Sequence, residues 1–270
     1  MDSVEGFPLT VGKAVEDDKK VRQPKAAELG LVPELAFRWM FTGPSNSGKT
    51  NLARFVLDKY YSKNGKSVFD KIYLFSPTAK LDPVWKDLAG LRDADRVTEL
   101  ANGGKEKLHE IFEKAKRRTK ALGKDKAPHE LVILDDAIAN IKFMNSPDTM
   151  NLYIAGRHGN LSNMILTQSY AKVPRTYRMQ MTALSMFPSR VTEIERLWDE
   201  HGPISMKKKD FIDMVKFATQ KTESEKYPFF FVDTTKPEET RYRKNLNVFL
   251  SPRDNNNNAE PEEKKRRLDY

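Results

Sequence analysis

The sequence predicts an α/β fold: a mostly parallel sheet with helices on both faces and a C-terminal β-hairpin. Three observations predict it. Strand-like apolar runs alternate with helical ones, the order of a parallel sheet wrapped by helices. The run LVILDD, Leu131 to Asp136, is apolar without alternation, as expected for a strand covered on both faces. A third run, FRWMF at Phe37 to Phe41, leads straight into the glycine-bracketed stretch GPSNSGKT, Gly43 to Thr50, and then into a helical pattern.

Residues 1–30 are polar and charged with weak periodicity, and read as an N-terminal arm. Phe37 to Phe41 is the first strand. After it Leu52, Phe55, Val56 and Tyr60 recur at helical spacing. Ile72 to Pro77 is a second strand. Within Lys105 to Lys126, Leu108, Ile111, Phe112, Ala115 and Leu122 form an apolar helical stripe. The rest of that segment carries nine Lys or Arg against four acidic residues. Such a face is either simply solvated or a contact surface for a phosphate backbone, which needs positive charge without sequence-specific geometry. Leu131 to Asp136, Asn163 to Gln168 and Thr182 to Phe187 are the next strands. Tyr227 to Asp233 and a run within Arg241 to Leu250 form the terminal hairpin. Residues 31–251 thus read as one domain. Residues 252–270 hold four asparagines, Asn255 to Asn258, followed by PEEKKRRLDY, a low-complexity tail expected to be disordered. Its KKRR, Lys264 to Arg267, has the composition of a nuclear-import or nucleic-acid patch, though short basic tails are common.

Composition bounds the function. The chain has 270 residues and 39% hydrophobic content, enough for a sizeable core. No run approaches the ~18 apolar residues of a membrane span. The opening MDSVEGFPLT is acidic and lacks an apolar stretch, so no secretory signal is expected there. With no cysteine, disulfides and thiolate zinc sites are excluded, and an intracellular setting is the default. A net charge of +9 and a pI near 9.4 favour an anionic partner, most naturally nucleic acid.

GPSNSGKT meets the phosphate-loop pattern G-x-x-x-x-G-K-[ST] at every fixed position. Gly43 and Gly48 permit the tight turn. The backbone of Pro44, Ser45, Asn46 and Ser47, with Asn51 beyond, surrounds the phosphates. Lys49 places a charge near the β/γ-phosphates, and Thr50 offers a hydroxyl to Mg²⁺. Chance would produce this pattern in roughly one chain in a hundred of this length. The flanking strand and helix lower that chance, since the helix N-terminus adds a positive dipole end at the anion. ATP with Mg²⁺ is therefore the expected ligand.

LVILDD describes the acidic strand end that accompanies such a loop. Asp135 would serve the Mg²⁺ shell, and Asp136 would orient the attacking water or accept its proton. Asp135 lies 86 residues after Lys49, which leaves room for an intervening strand, unlike simple nucleotide kinases and small GTPases. Gln168 ends an apolar strand where a γ-phosphate would sit; strand-end capping is the alternative role. Arg157, in a glycine-flanked loop before that strand, would reach a neighbouring subunit's nucleotide and stabilise transferring charge in trans; a surface contact is the alternative.

GPSNSGKT, LVILDD and RHGNLSNMILTQSYAKVPRTYR together resemble the viral DNA-packaging ATPases of the FtsK/HerA superfamily, most closely the poxvirus-type enzymes of large DNA viruses, virophages and related elements. The resemblance covers roughly residues 35–250. It implies a RecA-like P-loop core, a ring of subunits such as a hexamer, and ATP-driven movement of double-stranded DNA into a capsid. It also implies capsid-vertex or other packaging partners, and a place in the host cytoplasm or nucleus or with the virion. By position Lys49 and Thr50 match phosphate and Mg²⁺ ligands, Asp135 and Asp136 the acidic pair, Gln168 the sensor and Arg157 the arginine finger. Arg178 falls in the family's basic stretch after the sensor strand. Many relatives have Glu where this chain has Asp136, a shorter reach to water. Two other readings compete: a DNA-binding assembly protein whose nucleotide is structural, and a small-molecule phosphotransferase.

Overall fold

The computed structural model describes residues 23–250; the first 22 residues of the expected arm, and the tail with its asparagine run and KKRR, lie outside the described residues. The strands in chain order are β1 Arg38–Thr42, β2 Ser62–Lys63, β3 Lys66–Ser67, β4 Lys71–Phe75, β5 Leu91–Val97, β6 Glu130–Asp135, β7 Leu161–Thr167, β8 Ala183–Met186, β9 Phe230–Asp233, β10 Tyr242–Lys244 and β11 Val248–Phe249. The helices are α1 Lys25–Glu28, α2 Lys49–Lys59, α3 Asn102–Leu122, α4 Ile141–Met144, α5 Pro147–Ala155, α6 Arg175–Gln180, α7 Val191–His201, α8 Lys208–Ala218 and α9 Glu238–Arg241.

Nine strands form one sheet in the order β11-β10-β9-β8-β1-β7-β6-β4-β5, and β2 and β3 pair separately. From β8 to β5 the pairs are parallel; β9, β10 and β11 add antiparallel neighbours beyond β8. The expected terminal hairpin is present as β9 and β10, with β11 as a third strand. The expectation of an intervening strand holds: β7 separates β1 from β6.

Both faces of the sheet are covered, which explains why β6 is apolar at every interior position. On one face Trp39, Phe41, Ile133 and Leu166 pack against α2, α1 and Trp85. On the other, Met40, Val132, Leu134 and Ile165 pack against α3 to α8. Burying a side chain such as Val132 contributes ~1.5–3 kcal/mol. Residues 24–30, expected within the arm, carry α1, whose Ala27 is buried and whose following Gly30 carbonyl accepts from Arg243 Nη1 at 2.7 Å.

Two details differ from the periodicity. The buried face of α2 is Ala53, Val56 and Leu57, while Phe55 is 46% exposed and stands edge-on to Tyr60 instead. On α3 the stripe ends at Thr119; Leu122 is 51% exposed because the last turn runs past the edge of the core. Three strands were not anticipated: the short pair β2 and β3, and β5. β5, LRDADRV, is an edge strand whose polar residues face solvent, and its one buried acid, Asp95, is neutralised by Lys71 (2.8 Å) and Arg92 (2.9 Å).

Candidate active site

The site is built on three adjacent parallel strands that end level with one another. Thr42 of β1 is in register with Thr167 of β7, and Asp135 of β6 with Leu166 of β7. The chain just past each end therefore meets at the C-terminal edge. The backbone stitches these exits together: Gly43 N–H donates to Thr167 O at 3.2 Å and Asp136 N–H to Leu166 O at 3.1 Å.

The loop from Gly43 to Thr50 turns into α2 at Gly48, its N-cap, whose φ of +100° lies in a region that L side chains rarely adopt. Gly43 is required by space: a Cβ there would lie 2.6 Å from Phe187 Cβ. Pro44, Ser45 and Asn46 are exposed, Ser47 is buried, Thr50 is half-buried and Asn51 is exposed at the first turn of α2. Asn46 has φ +59°, which asparagine tolerates better than most residues. The open N-terminus of this eleven-residue helix points its free N–H groups at the loop. Lys49 is buried, and its ammonium donates to Gly43 O (2.9 Å) and Pro44 O (2.8 Å), which spans the loop from inside. Burial pulls its pKa down, while the carboxylates of Asp136 and Asp135 act in the opposite direction.

Across from the loop stand the two acids. Asp135 is 6% exposed, and burial pushes its pKa up to about 6, against a hydrogen bond from Trp85; the Asp136 and Asp82 charges add to the rise and Lys49 opposes it. Trp85 Nε1–H donates to Asp135 Oδ2 at 2.9 Å. Asp136 leaves the strand with φ +49°, a left-handed turn that re-aims its half-buried carboxylate. Gln168 is exposed at the end of β7, and its Nε2 lies 3.5 Å from Asp136 Oδ2. The structure thus brings Lys49, Asp135, Asp136 and Gln168 together.

Arg157 is not among them. It sits exposed in the short 3-10 turn Gly156–Gly159 ahead of β7, at the opposite edge of the sheet. The length of β1 alone, about 16 Å at the rise of a strand, separates that edge from the loop. It faces outward beside a cleft lined by Glu113, Lys116, Arg117, Lys120, Lys124 and His158, along the end of α3 and the residues just after it, where Lys116 is paired with Glu113 at 3.1 Å. Arg178 is not an open contact either: it is 5% exposed and grips Glu200 with Nε (2.8 Å) and Nη2 (2.6 Å), and Tyr170 OH joins the same carboxylate at 2.8 Å. Its role is to tie the segment after β7 to α7.

Sequence reasoning missed two supports of this site. Trp85 reaches Asp135 from the 3-10 turn Pro83–Trp85, whose start is capped by Asp82 accepting from Val84 N–H at 2.9 Å. The Asp-Pro pair marks the turn, but nothing in sequence ties it to an acid fifty residues on. Glu193 on α7 accepts from Ser169 Oγ (2.7 Å) and Ala171 N–H (2.9 Å), which fixes the chain just after Gln168. Among the described residues no helix is long and apolar enough to cross a membrane.

Comparison with solved structures finds the same fold in virus proteins. The genome packaging NTPase B204 of Sulfolobus turreted icosahedral virus 2, in complex with AMP, superposes with a TM-score of 0.51 at 16% identity, covering 74% of this chain and 93% of that one. The DNA-packaging ATPase B204 of Sulfolobus turreted icosahedral virus gives 0.50 at 16% identity, over 74% and 94%. At such identities the likeness concerns the fold. Comparison with curated proteins finds no match. A family model does match, the poxvirus A32 protein, over residues 31–244. That span runs from the chain ahead of β1 through β10 and takes in the loop, both acids and Gln168, so the resemblance drawn from those motifs holds: the chain belongs to the poxvirus A32 protein family.

Proposed function

We propose that this chain is the ATP-hydrolysing subunit of a motor that moves viral double-stranded DNA into capsids. The observation that carries the reading is the meeting of Lys49, Asp135, Asp136 and Gln168 at one sheet edge, in a member of the poxvirus A32 family. The B204 packaging NTPases, of the same fold, have been captured with AMP and with ATP-γ-S.

In this reading the N–H groups of the loop and of the first turn of α2 receive the phosphates, and Lys49 exchanges its two loop carbonyls for phosphate oxygens. The residues present suit Mg²⁺. Among the described residues no three acidic or imidazole groups converge to hold a metal alone. Thr50 and Asp135 instead offer hard oxygen donors that leave positions for phosphate oxygens and water, the usual Mg²⁺ arrangement. The buried Asp135, with its raised pKa, is a carboxylate that a cation would stabilise. Bound there, Mg²⁺ would neutralise charge on the β- and γ-phosphates. Asp136 orients the attacking water and takes its proton as the water oxygen bonds to the γ-phosphorus and ADP leaves. Gln168, beside Asp136, holds the water or the γ-phosphate in line. That adjacency argues for turnover over a structural nucleotide.

Arg157 acts in trans in a ring of subunits, probed by the mixing experiment in the Discussion. Duplex DNA is gripped through its phosphates by the basic face of α3, where the cleft gathers Lys116, Arg117, Lys120 and Lys124, and by Lys207 to Lys209. Capsid-vertex proteins and a setting in the infected cell belong to the same proposal, as does a division into arm, domain and tail in which α1 belongs to the domain.

The test is a pair of variants. Lys49→Ala should lose nucleotide binding and turnover together. Asp136→Asn should keep binding and lose hydrolysis by roughly 10²–10⁴-fold, the usual contribution of a positioned base. Equal loss of binding in both, or hydrolysis that survives Lys49→Ala in clean preparations, would contradict the assignment.

A further inference from the structure

We infer that Tyr227 is the base-stacking platform of this site: its open ring face receives the planar base of the bound nucleoside triphosphate. The inference rests on the proposed nucleotide site and adds the part that phosphate contacts leave out. Tyr227 is 58% exposed, unusual for an aromatic side chain in contact with a glycine of the loop. A Cβ on Gly48 would lie 3.3 Å from Tyr227 Cδ1 and 3.4 Å from its Cβ, so the ring rests against the point where the loop becomes α2. In the proposed site the phosphates would lie on the loop, and the sugar and base of the same nucleotide would extend past its Gly48 end.

The ring is also held in place. Pro228 restricts Tyr227 to extended backbone. Phe229 next to it is buried against Phe187, ring centroids 5.6 Å apart, and Phe187 itself lies within 3.4 Å of the same Gly48 Cβ position. Asn245, in the turn after β10, accepts from Phe229 N–H (3.2 Å) and donates to Glu225 Oε1 (2.9 Å), which fastens both sides of Tyr227 to the sheet. A tyrosine fixed on one side and open on the other is a preorganised stacking surface, with little side-chain freedom left to lose on binding. A base of DNA would offer the same chemistry, but the contact with Gly48 places the ring at the phosphate loop and favours the nucleotide.

The experiment compares two probes, the non-hydrolysable AMPPCP and inorganic triphosphate, each with Mg²⁺, by titration calorimetry. Tyr227→Ala should weaken AMPPCP by about 5- to 150-fold, the range of base–aromatic stacking. It should leave triphosphate unchanged, and Tyr227→Phe should bind both as the parent does. Tyr227→Trp should show fluorescence quenched by AMPPCP but not by triphosphate, which gives a readout if the alanine variant folds poorly. Unchanged AMPPCP affinity in Tyr227→Ala, or equal loss of both probes, would overturn the inference. Lys49→Ala separates the two levels: it should weaken both probes, and a parent protein that binds neither would sink the nucleotide site itself.

Discussion

At the residue scale, the acid at the end of β6 is aimed from behind. Asp135 is buried, and Trp85, itself fully buried, supplies a hydrogen bond to it. The Trp85 carbonyl is in turn held by Arg96 Nη2 at 2.9 Å, and the Val84 carbonyl by Arg54 Nη1 at 2.9 Å. In the proposed Mg²⁺ site this partner would fix the orientation of Asp135, and loss of a partner of this kind typically costs 10–100-fold in metal affinity. Trp85→Phe should therefore raise the Mg²⁺ concentration needed for nucleotide binding about tenfold, while binding measured in EDTA stays at the parent value. An unchanged Mg²⁺ requirement would reduce Trp85 to a core residue. The phosphate loop was legible from sequence because its chemistry is local: two glycines, a lysine and a threonine at fixed spacing do the work. Trp85 was not, because its partner is fifty residues away and only the pairing of β4 with β6 brings the two together.

At the element scale, the segment after Gln168 is clamped to α7 by a buried polar network. Arg178 and Glu200 each keep only 6% side-chain exposure, and Arg178 also donates to the carbonyls of Ala171 and Val173. Removing one partner of a buried pair strands the other charge and costs ~3–5 kcal/mol. Arg178→Met should thus lower the melting temperature by roughly 10 °C for a domain of this size. Replacing Glu200 with Leu in the same chain should restore much of that, since no charge is left buried. A melting temperature unmoved by Arg178→Met would show that the network is slack. The same contrast explains what periodicity revealed. β1, β4, β6, β7 and β8 lie inside the sheet and read as apolar runs. β5 lies at the edge, where one side faces water and LRDADRV is free to be polar, so it carried no strand signal. The role of Arg178 was not legible, because sequence shows its charge but not the carboxylate that folding brings to it.

At the scale of the whole molecule, the two halves of the proposed chemistry stand at opposite edges of the sheet. The loop and acids occupy the C-terminal edge; Arg157 lies in the turn before β7 at the opposite edge, next to the cleft at the C-terminal end of α3. One subunit cannot bring its own Arg157 to its own loop, so in the proposed ring that arginine would come from a neighbour. Subunits carrying Arg157→Ala and subunits carrying Lys49→Ala should each be inactive alone and regain part of the activity when mixed, since some interfaces then hold Lys49 from one chain and Arg157 from the next. No recovery despite proven co-assembly would place Arg157 outside the chemistry. The net charge of +9 completes the picture, because a motor that must travel along any sequence gains from phosphate contacts that ignore base identity. The most direct test of the account is the rate of ATP hydrolysis measured with and without duplex DNA across a salt series. The account predicts stimulation by duplexes of unrelated sequence, fading as salt rises with the steep log–log slope of counterion release. Hydrolysis indifferent to DNA at low salt, where binding is strongest, would contradict it.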